Sequence, residues 1–338
     1  MAGAAGFAGA AGAAEHGVVG WWENTITNHT SAAEACLAAL RRTVDVDEDA
    51  PAPVSIPRVT GLTRSSEACT MAIAQVPIRT NPRGWELSAH PSLDSRRTAG
   101  WLRELTDSVE ELWTGKVSHM MLHVTGPWSL GAALEYRGHA VMADRPAFRD
   151  IALQLGEGVR EFAAWGQRIG AEVVVAVHEP RVAEVLAGLR GATDFHSVPP
   201  VDRDIVAGVW RRFLEVGFPA VLDCGWVPPE LADALPGMGF HRVAVPSAQL
   251  ADTAGKDLVG GLLGAGQGIG WVFEGDATSR AGETIAGDVL RQWRQWSLPE
   301  DELPGMVDVV VPEGVRTAAA ASEAAAAARI AAEKLWRN

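Results

Sequence analysis

Hydrophobic residues follow two alternating spacings from about residue 96 to the end of the chain. Arg97 to Trp113 has apolar residues at helical intervals with charged residues between them, which predicts an amphipathic helix. Val117 to Val124 and Glu172 to Val177 are short and largely apolar, as expected of strands that are buried on both faces. The alternation of such segments predicts βα units arranged around a parallel sheet.

The same pattern predicts most of the remaining elements. The first hundred residues are less regular: Val18-Val19 is a candidate first strand, Asp45 to Pro57 has the composition of a linker, and Met71 to Leu87 is hairpin-like. Further helices are expected over about 146–168, 202–216, 258–263, 284–296 and 318–336, and further strands over 218–222, 242–245, 270–273 and 307–311.

Length and composition fit one large globular unit. A chain of 338 residues with 47% hydrophobic and 21% charged residues can build a sizeable core, and (β/α)8 barrels routinely reach this size around one core. We therefore expect residues 15–338 to form a single α/β barrel with an extended insertion around 58–90. Residues 1–14, an Ala/Gly tract, are expected to be a disordered tail.

The acidic balance of the chain argues against nucleic acid as a partner. Its formal net charge is -13 and its pI is about 5.2, whereas binding to phosphate backbones depends on clustered Lys and Arg. No apolar run approaches the ~20 residues needed to cross a bilayer, so no membrane association is expected. The three cysteines are widely separated without a C-x-x-C pair, so we expect a cytoplasmic protein without a disulfide framework.

Two familiar catalytic motifs are absent. Gly264 to Gly270 is glycine-rich, but in no register does it match G-x-G-x-x-G, and it precedes a predicted strand where a nucleotide-binding turn would follow one. We therefore expect no nucleotide cofactor. Ser129 does not lie in a G-x-S-x-G elbow, which argues against a serine hydrolase.

Polar residues follow several predicted strands, where a parallel barrel carries its functional side chains. His178 and Glu179 end one strand, and because neighbouring strand residues point to opposite faces, only one of them is expected to reach a central cavity. Cys224 ends the next strand, where a thiolate could bind zinc, although a lone buried Cys more often packs. Its candidate companions as metal ligands are Asp223, His241 and Glu313.

Two further histidines lie within a predicted strand. His119 and His123 are four residues apart and therefore share one face. Because the sequence places no third ligand near them, we interpret both as packing or surface histidines.

The segment from Leu122 to Pro180 resembles the cobalamin-independent methionine synthase family, in particular its short, single-barrel, actinobacterial-type members. Gly126-Pro127-Trp128-Ser129-Leu130 is similar to the family's G-P-W-[ST]-L turn, and Val177-His178-Glu179-Pro180 is similar to its Q-x-D-E-P strand end. Weaker similarity covers nearly the whole chain, including Gly17 to Gly20, Gly84-Trp85, the strand before Cys224, and Val309 to Pro312.

This resemblance implies a (β/α)8 TIM barrel of the uroporphyrinogen decarboxylase and methionine synthase-like superfamily. It also implies an S-methyltransferase that moves a methyl group from a methylfolate to the homocysteine thiol, without cobalamin. Zinc is the implied cofactor, because it holds the thiol as a reactive thiolate. A folate or thiol compound would then bind at the carboxyl-terminal mouth of the barrel.

The sequence departs from the family pattern at the zinc and homocysteine site. Leu222-Asp223-Cys224 keeps only the cysteine of a H-x-C pair, and Glu313 lies near the position of the family's late cysteine. Trp21 follows Gly20 where the family has a G-S turn, so it would fill space used by the substrate carboxylate. His178 replaces an Asp that pairs with the substrate's amino group, and it cannot supply the same fixed negative charge. The candidate substrate-pocket residues are Trp21, Trp128, His178 and Glu179.

Four functions remain open on these residues. The first is a divergent family member that has lost or altered methyl transfer but still binds a small molecule at the barrel mouth. The second is an active zinc-dependent thiol methyltransferase that combines Cys224 with substituted ligands. The third is a non-catalytic binding or scaffold protein, suggested by the 13 tryptophans if several are exposed. The fourth, cofactor-free acid–base catalysis as in the uroporphyrinogen decarboxylase branch, ranks last because no Arg and Asp cluster lies near the N-terminus.

Overall fold

The computed structural model describes residues 20–44, 52–191, 197–274 and 282–337. Within these ranges the protein is an α/β structure with twelve α-helices and a nine-stranded parallel central sheet. The predicted tail (1–14), the candidate strand Val18-Val19 and residues 45–51 of the predicted linker lie outside the described residues.

The central sheet contains β1 (Trp21–Thr27), β2 (Val54–Ser55), β3 (Arg58–Val59), β6 (His119–Thr125), β9 (Glu172–His178), β10 (Ala220–Asp223), β11 (Arg242–Pro246), β12 (Gly268–Val272) and β13 (Val307–Arg316). A second, four-stranded sheet contains β4 (Ile78–Asn81), β5 (Gly84–Leu87), β7 (Leu134–Tyr136) and β8 (His139–Ala140). The helices are α1 (Ala32–Thr43), α2 (Ser66–Ile73), α3 (Leu93–Trp113), α4 (Pro127–Ala133), α5 (Arg145–Arg168), α6 (Val182–Ala187), α7 (Arg203–Leu214), α8 (Pro229–Ala232), α9 (Thr253–Gly264), α10 (Gly282–Gln295), α11 (Leu303–Met306) and α12 (Ala318–Trp336).

The central sheet curls on itself. Its strand order is β2-β6-β9-β10-β11-β12-β13-β1-β3. β2 and β3 lie at opposite ends of this order, yet only Ile56 and Pro57 separate them along the chain. One stretch of chain therefore pairs with β6 through Val54 and with β1 through Val59. The result is a barrel-like α/β fold in which the carboxyl ends of the parallel strands share one rim.

Several helices begin where the sequence supplies a capping side chain. A Ser, Thr or Asp oxygen accepts a hydrogen bond from the backbone amide three residues further on, which satisfies an otherwise free donor of the first turn. The residues that cap in this way are Ser31, Ser65, Ser92, Asp144, Asp252 and Thr317.

The periodicity predictions are confirmed for the elements after residue 96, with shifts of a few residues. The expected hairpin is present as antiparallel β4 and β5, although Met71 itself lies in α2. Arg58 and Val59, at the start of the predicted insertion, belong to the central sheet, and Trp21 opens β1 where the resemblance placed a turn. β13 continues beyond Pro312, where the strand was expected to end, because an irregularity in its pairing with β1 accommodates the missing N–H.

Alternate residues of each central strand enter two different cores. Trp21, Leu222 and Val243 pack outward into a large cluster with the surrounding helices. The residues next to them point into the curled sheet, because side chains alternate along a strand. This interior cluster consists of Trp22, Met121, Val174, Ala176, Val221, Ala244 and Val310.

A buried ion pair fills the interior at the amino ends of the strands. Arg242 Nε lies 3.3 Å from Asp308 Oδ2, and the Asp308 side chain is fully buried. Arg242 also donates to the carbonyl oxygens of His241 at 3.1 Å and Gly305 at 2.8 Å. Gly268 is required beside it, since a Cβ there would lie 2.5 Å from the Arg242 side chain.

Candidate functional site

A layer of polar side chains lies at the carboxyl ends of the central strands, directly beyond the apolar interior. Residues two apart on a strand share a face, so a polar residue two positions after an interior apolar residue also points inward. This relation holds for Asn24 after Trp22, His123 after Met121, His178 after Ala176 and Asp223 after Val221.

Asp223, His178, His123 and Ser55 form a continuous chain of hydrogen bonds. Asp223 Oδ2 lies 3.2 Å from His178 Nδ1, and His178 Nε2 lies 3.0 Å from His123 Nδ1. His123 Nε2 lies 3.2 Å from Ser55 Oγ, and the two imidazole rings stack with centroids 5.2 Å apart. Asp223, His178 and Ser55 are buried and His123 is half-buried, so the chain is largely screened from bulk water.

This chain has two self-consistent proton arrangements. When the Ser55 hydroxyl donates to His123 Nε2, His123 Nδ1 donates to His178 Nε2 and His178 Nδ1 donates to Asp223. In this arrangement His178 carries one proton and is neutral. When Ser55 donates instead to the Glu23 carbonyl oxygen, 3.2 Å away, His123 donates to Ser55 and a doubly protonated His178 donates to both neighbours. Rotation of one hydroxyl group therefore lets the same heavy-atom geometry hold His178 with or without a positive charge.

Asn24 and Arg58 connect this chain to the last strand. Asn24 Nδ2 donates to Asp223 Oδ2 at 2.7 Å. Arg58 donates to the Asn24 carbonyl oxygen at 2.8 Å and to its side-chain oxygen, and it pairs with Glu313 at 3.1 Å. Residues of seven central strands thus converge on one polar network.

The surroundings of the network fix its charges. Burial alone raises the pKa of Asp223, but the His178 hydrogen bond and charge, the Gly225 amide and Arg58 outweigh burial and hold that pKa below its ordinary value. Burial, together with the positive charges of Arg58 and His178, lowers the pKa of His123 well below its ordinary value. Asp223 is therefore a carboxylate and His123 a neutral imidazole near pH 7.

A small cavity opens beside this network. Its volume is about 80 Å³. A buried water needs roughly 10–15 Å³ of cavity volume, so the cavity has room for on the order of five waters. Its wall carries two carboxylates, Asp223 and Glu313, and Glu313 pairs with the Arg58 guanidinium. The cavity is lined by Asn24, His178, Pro180, Asp223, Gly225, Val272 and Glu313.

Glu179 points away from the cavity and has a different set of partners. Its carboxylate is fully buried and accepts from the backbone amides of Trp128 at 3.1 Å and Ser129 at 2.6 Å, and from Trp210 Nε1 at 2.8 Å. Burial raises the pKa of Glu179, although these three donors favour the charged form. Of the His178-Glu179 pair, only His178 reaches the cavity.

The Gly126-Pro127-Trp128 turn is the receptor for Glu179. A Cβ on Gly126 would lie 2.4 Å from the Glu179 carboxyl group, so only glycine leaves room for that side chain. Trp128 packs against Phe148 with ring centroids 4.6 Å apart and donates to the Val206 carbonyl oxygen. Trp128 and Glu179, both candidate pocket residues, therefore join the strand end to the outer helices and do not line the cavity.

Cys224 also lies on the outer face, next to the inward-pointing Asp223. It is buried within the large outer cluster and does not line the cavity. Burial, with the nearby charges of Glu179 and Asp223, raises the pKa of the Cys224 thiol well above its ordinary value. A buried neutral thiol is a poor metal ligand and a poor nucleophile.

Cys224 is accordingly expected to be inert in the folded protein. Its alkylation by iodoacetamide, followed by mass spectrometry of the Cys224 peptide, should be at least about 100-fold slower in buffer than in concentrated urea, because the thiolate is the reactive form. Alkylation of native Cys224 at nearly the unfolded rate would contradict the outward, buried placement.

The remaining predicted site residues separate into two groups. Glu313 reaches the cavity, where it pairs with Arg58. Trp21 does not: as the first residue of β1 it packs outward, and its neighbour Trp22 occupies the interior instead. His241 precedes β11 at the opposite, amino-terminal end, near the Ala220 amide.

Sequence reasoning missed four residues of the network: Asn24, Ser55, Arg58 and His123. His123 was interpreted as a packing or surface residue, but it links His178 to Ser55, while its strand partner His119 lies at the other end of β6 near Glu172. Asn24 and Arg58 carried no recognised motif. The available signal was positional, because His123 follows the interior residue Met121 by two positions.

These residues do not fit the zinc centre that the resemblance implies. Asp223 and His178 point into the cavity while Cys224 points out of it, so the three side chains do not converge on one ion. Across the described residues, no group of three or more His, Cys, Asp or Glu side chains is placed to hold a metal ion.

None of the described helices is long and apolar enough to cross a membrane. Gly264 ends α9 and Gly268 begins β12, so the glycine cluster is a helix-to-strand loop.

A scan against protein-family models and a search of curated proteins both return no match to this chain.

Proposed function

We propose that the chain is a divergent (β/α)8 barrel of the TIM type, related to cobalamin-independent methionine synthases, that has lost zinc-dependent methyl transfer. In its place the barrel binds a small cationic molecule in the cavity at the carboxyl ends of its strands. The observation that carries this proposal is the orientation of two neighbouring residues: Asp223 faces the cavity and Cys224 faces the outer helices.

The fold supports the first half of the proposal. The curled parallel sheet runs in chain order from β1 to β13, apart from the 54–59 stretch that pairs at both of its ends. The polar network lies on the rim where (β/α)8 barrels carry their sites. The retained Gly126 turn is explained by its contact with Glu179 and does not require a folate.

Size and charge support a small cation as the ligand. A cavity of about 80 Å³ accommodates a small polar group and not a pterin ring with its side chain. Glu23 is neutralised separately by Arg42 at 2.8 Å, which leaves Asp223 and Glu313 against Arg58 alone. A ligand ammonium or guanidinium group would supply the missing positive charge.

The loss of the zinc reaction is tested by metal content. Protein purified and then equilibrated with zinc is expected to retain well under one ion per chain after desalting, and Cys224→Ser should leave that value unchanged. Incubation with a methylfolate and homocysteine should yield no methionine. Stoichiometric zinc that is lost in Cys224→Ser, or methyl transfer to a thiol, would favour the active zinc enzyme instead.

The ligand class is tested separately with two small probes of opposite charge. Methylammonium is expected to shift the His123 and His178 NMR signals saturably, whereas acetate should not. Asp223→Asn should abolish the methylammonium effect, while Asp233→Asn, whose side chain is 89% exposed, should preserve it. An equal response to acetate would overturn the cationic assignment.

Burial of the tryptophans argues against the scaffold alternative. Among the described tryptophans only Trp226 and Trp336 are more than a third exposed, at 55% and 38%. The remainder contribute to the packed core or its margin, so the high tryptophan count does not mark an aromatic binding surface.

A further inference from the structure

An apolar groove runs between α5 and α7 on the outside of the barrel-like fold. Its volume is about 510 Å³, and described residues form its lining. Small residues, among them Ala152 and Gly208, line it together with Phe148. Leu153 and Ile205 also line it and are 46% and 56% exposed, although side chains of this kind are normally covered.

Three arginines line the same groove. Arg145 and Arg149 are one helical turn apart on α5, and Arg212 lies on α7. Among the described residues, none of the three forms an ion pair closer than 4 Å. A groove with three unpaired guanidinium groups is unusual on a chain whose net charge is -13.

We propose that this groove binds an acidic amphipathic helix of a partner protein. An apolar floor with charged rims is the surface that an amphipathic helix recognises, with its apolar stripe inward and its charged flanks against the rims. The stretch from Arg145 to Gly156 is about 16 Å long at 1.5 Å per residue, which matches three turns of a bound helix.

The small residues favour a helix over other occupants. Glycine and alanine on a helix surface allow a neighbouring helix to approach closely, so its ridge of side chains can enter the groove. The arginines then select acidic flanks, because opposite charges speed association and suppress basic competitors.

The test uses a fluorescein-labelled amphipathic peptide of roughly 16 residues, with a leucine stripe at helical spacing and glutamates on both flanks. A twin peptide carries lysine at every glutamate position. Fluorescence anisotropy is expected to show saturable binding of the acidic peptide and none of the basic twin. Failure of the acidic peptide to bind, or equal binding of the twin, overturns the proposal.

Variants locate the binding to the groove. The double variant Arg149→Glu, Arg212→Glu should weaken the acidic peptide at least about tenfold, whereas Arg211→Glu, an exposed neighbour on α7 that does not line the groove, should change its Kd by less than about twofold. Gly208→Leu should also weaken binding, since a Cβ there meets nothing within 4 Å and the side chain would fill the groove. Gly260→Leu on α9, equally unobstructed, is its control.

Two other occupants of the groove are distinguished by further measurements. A dimer in light scattering that Arg149→Glu abolishes, without binding of the acidic peptide, would assign the groove to self-association and overturn the proposal. Binding of laurate, lost in Gly208→Leu, without peptide binding would assign it to an acyl chain and likewise overturn it.

Discussion

Glu179→Ala is expected to lower the free energy of unfolding by about 3–5 kcal/mol, since each buried donor left without an acceptor costs roughly 1–3 kcal/mol. The variant removes the only carboxylate that accepts from Trp128 N, Ser129 N and Trp210 Nε1, and it leaves a void between the strand end and the outer helices. Urea unfolding followed by tryptophan fluorescence measures the loss.

The control for this prediction is Glu184→Ala. Glu184 is five residues further along the chain, its side chain is 55% exposed, and it pairs with Arg181 on the surface. Exposed ion pairs contribute roughly 0–1 kcal/mol, so this variant should unfold almost like the parent. Glu179→Gln should fall between the two, because it retains one acceptor oxygen. Equal stability of Glu179→Ala and Glu184→Ala would contradict the role given to Glu179.

Asp308 is expected to make the protein less stable as the pH rises from 4 to 8. Burial raises the pKa of Asp308 to about 7, and Arg242 offsets this only in part. Although the Arg242 Nε atom is 3.3 Å away, neither carboxylate oxygen of Asp308 has a hydrogen-bond partner among the described residues. The nearby Arg242 charge therefore does not compensate for the hydration that the Asp308 carboxylate loses on burial.

The direction of the effect follows from linkage. The folded-state pKa lies above the ordinary value of 3.8, so the contribution of Asp308 to stability is complete below about pH 4 and is lost as the pH rises through 7. A difference of about three pKa units corresponds to up to about 4 kcal/mol. Asp308→Asn removes this titration.

The measurement is the free energy of unfolding of parent and variant across this pH range. Relative to Asp308→Asn, the parent should lose up to about 4 kcal/mol between pH 4 and 8. Asp301→Asn, at an exposed position, should follow the parent at every pH. A constant difference between the parent and Asp308→Asn would show that Asp308 is ionised throughout and fully stabilised by Arg242.

Sequence periodicity was sufficient for the order of the helices and strands and for the positions at which several strands end. Continuous runs such as Val173 to Val177 identify buried parallel strands because both of their faces are covered. His178 and Asp223 were correctly placed at the ends of such strands. The same property hides which residues face inward, since a strand that is apolar on both faces carries no alternation to reveal the inner face.

The sequence by itself therefore determined a parallel α/β arrangement with polar residues at its strand ends. Only the tertiary structure decided that Asp223 faces the interior while Cys224 and Trp21 face the helices, because that choice depends on how each strand is rotated within the sheet. It alone also brought Asn24 and Arg58 to Asp223 and Glu313. In the sheet β11, β12 and β13 separate β10 from β1, so Asn24 meets Asp223 only across the interior of the curled sheet, a relation that no local spacing encodes.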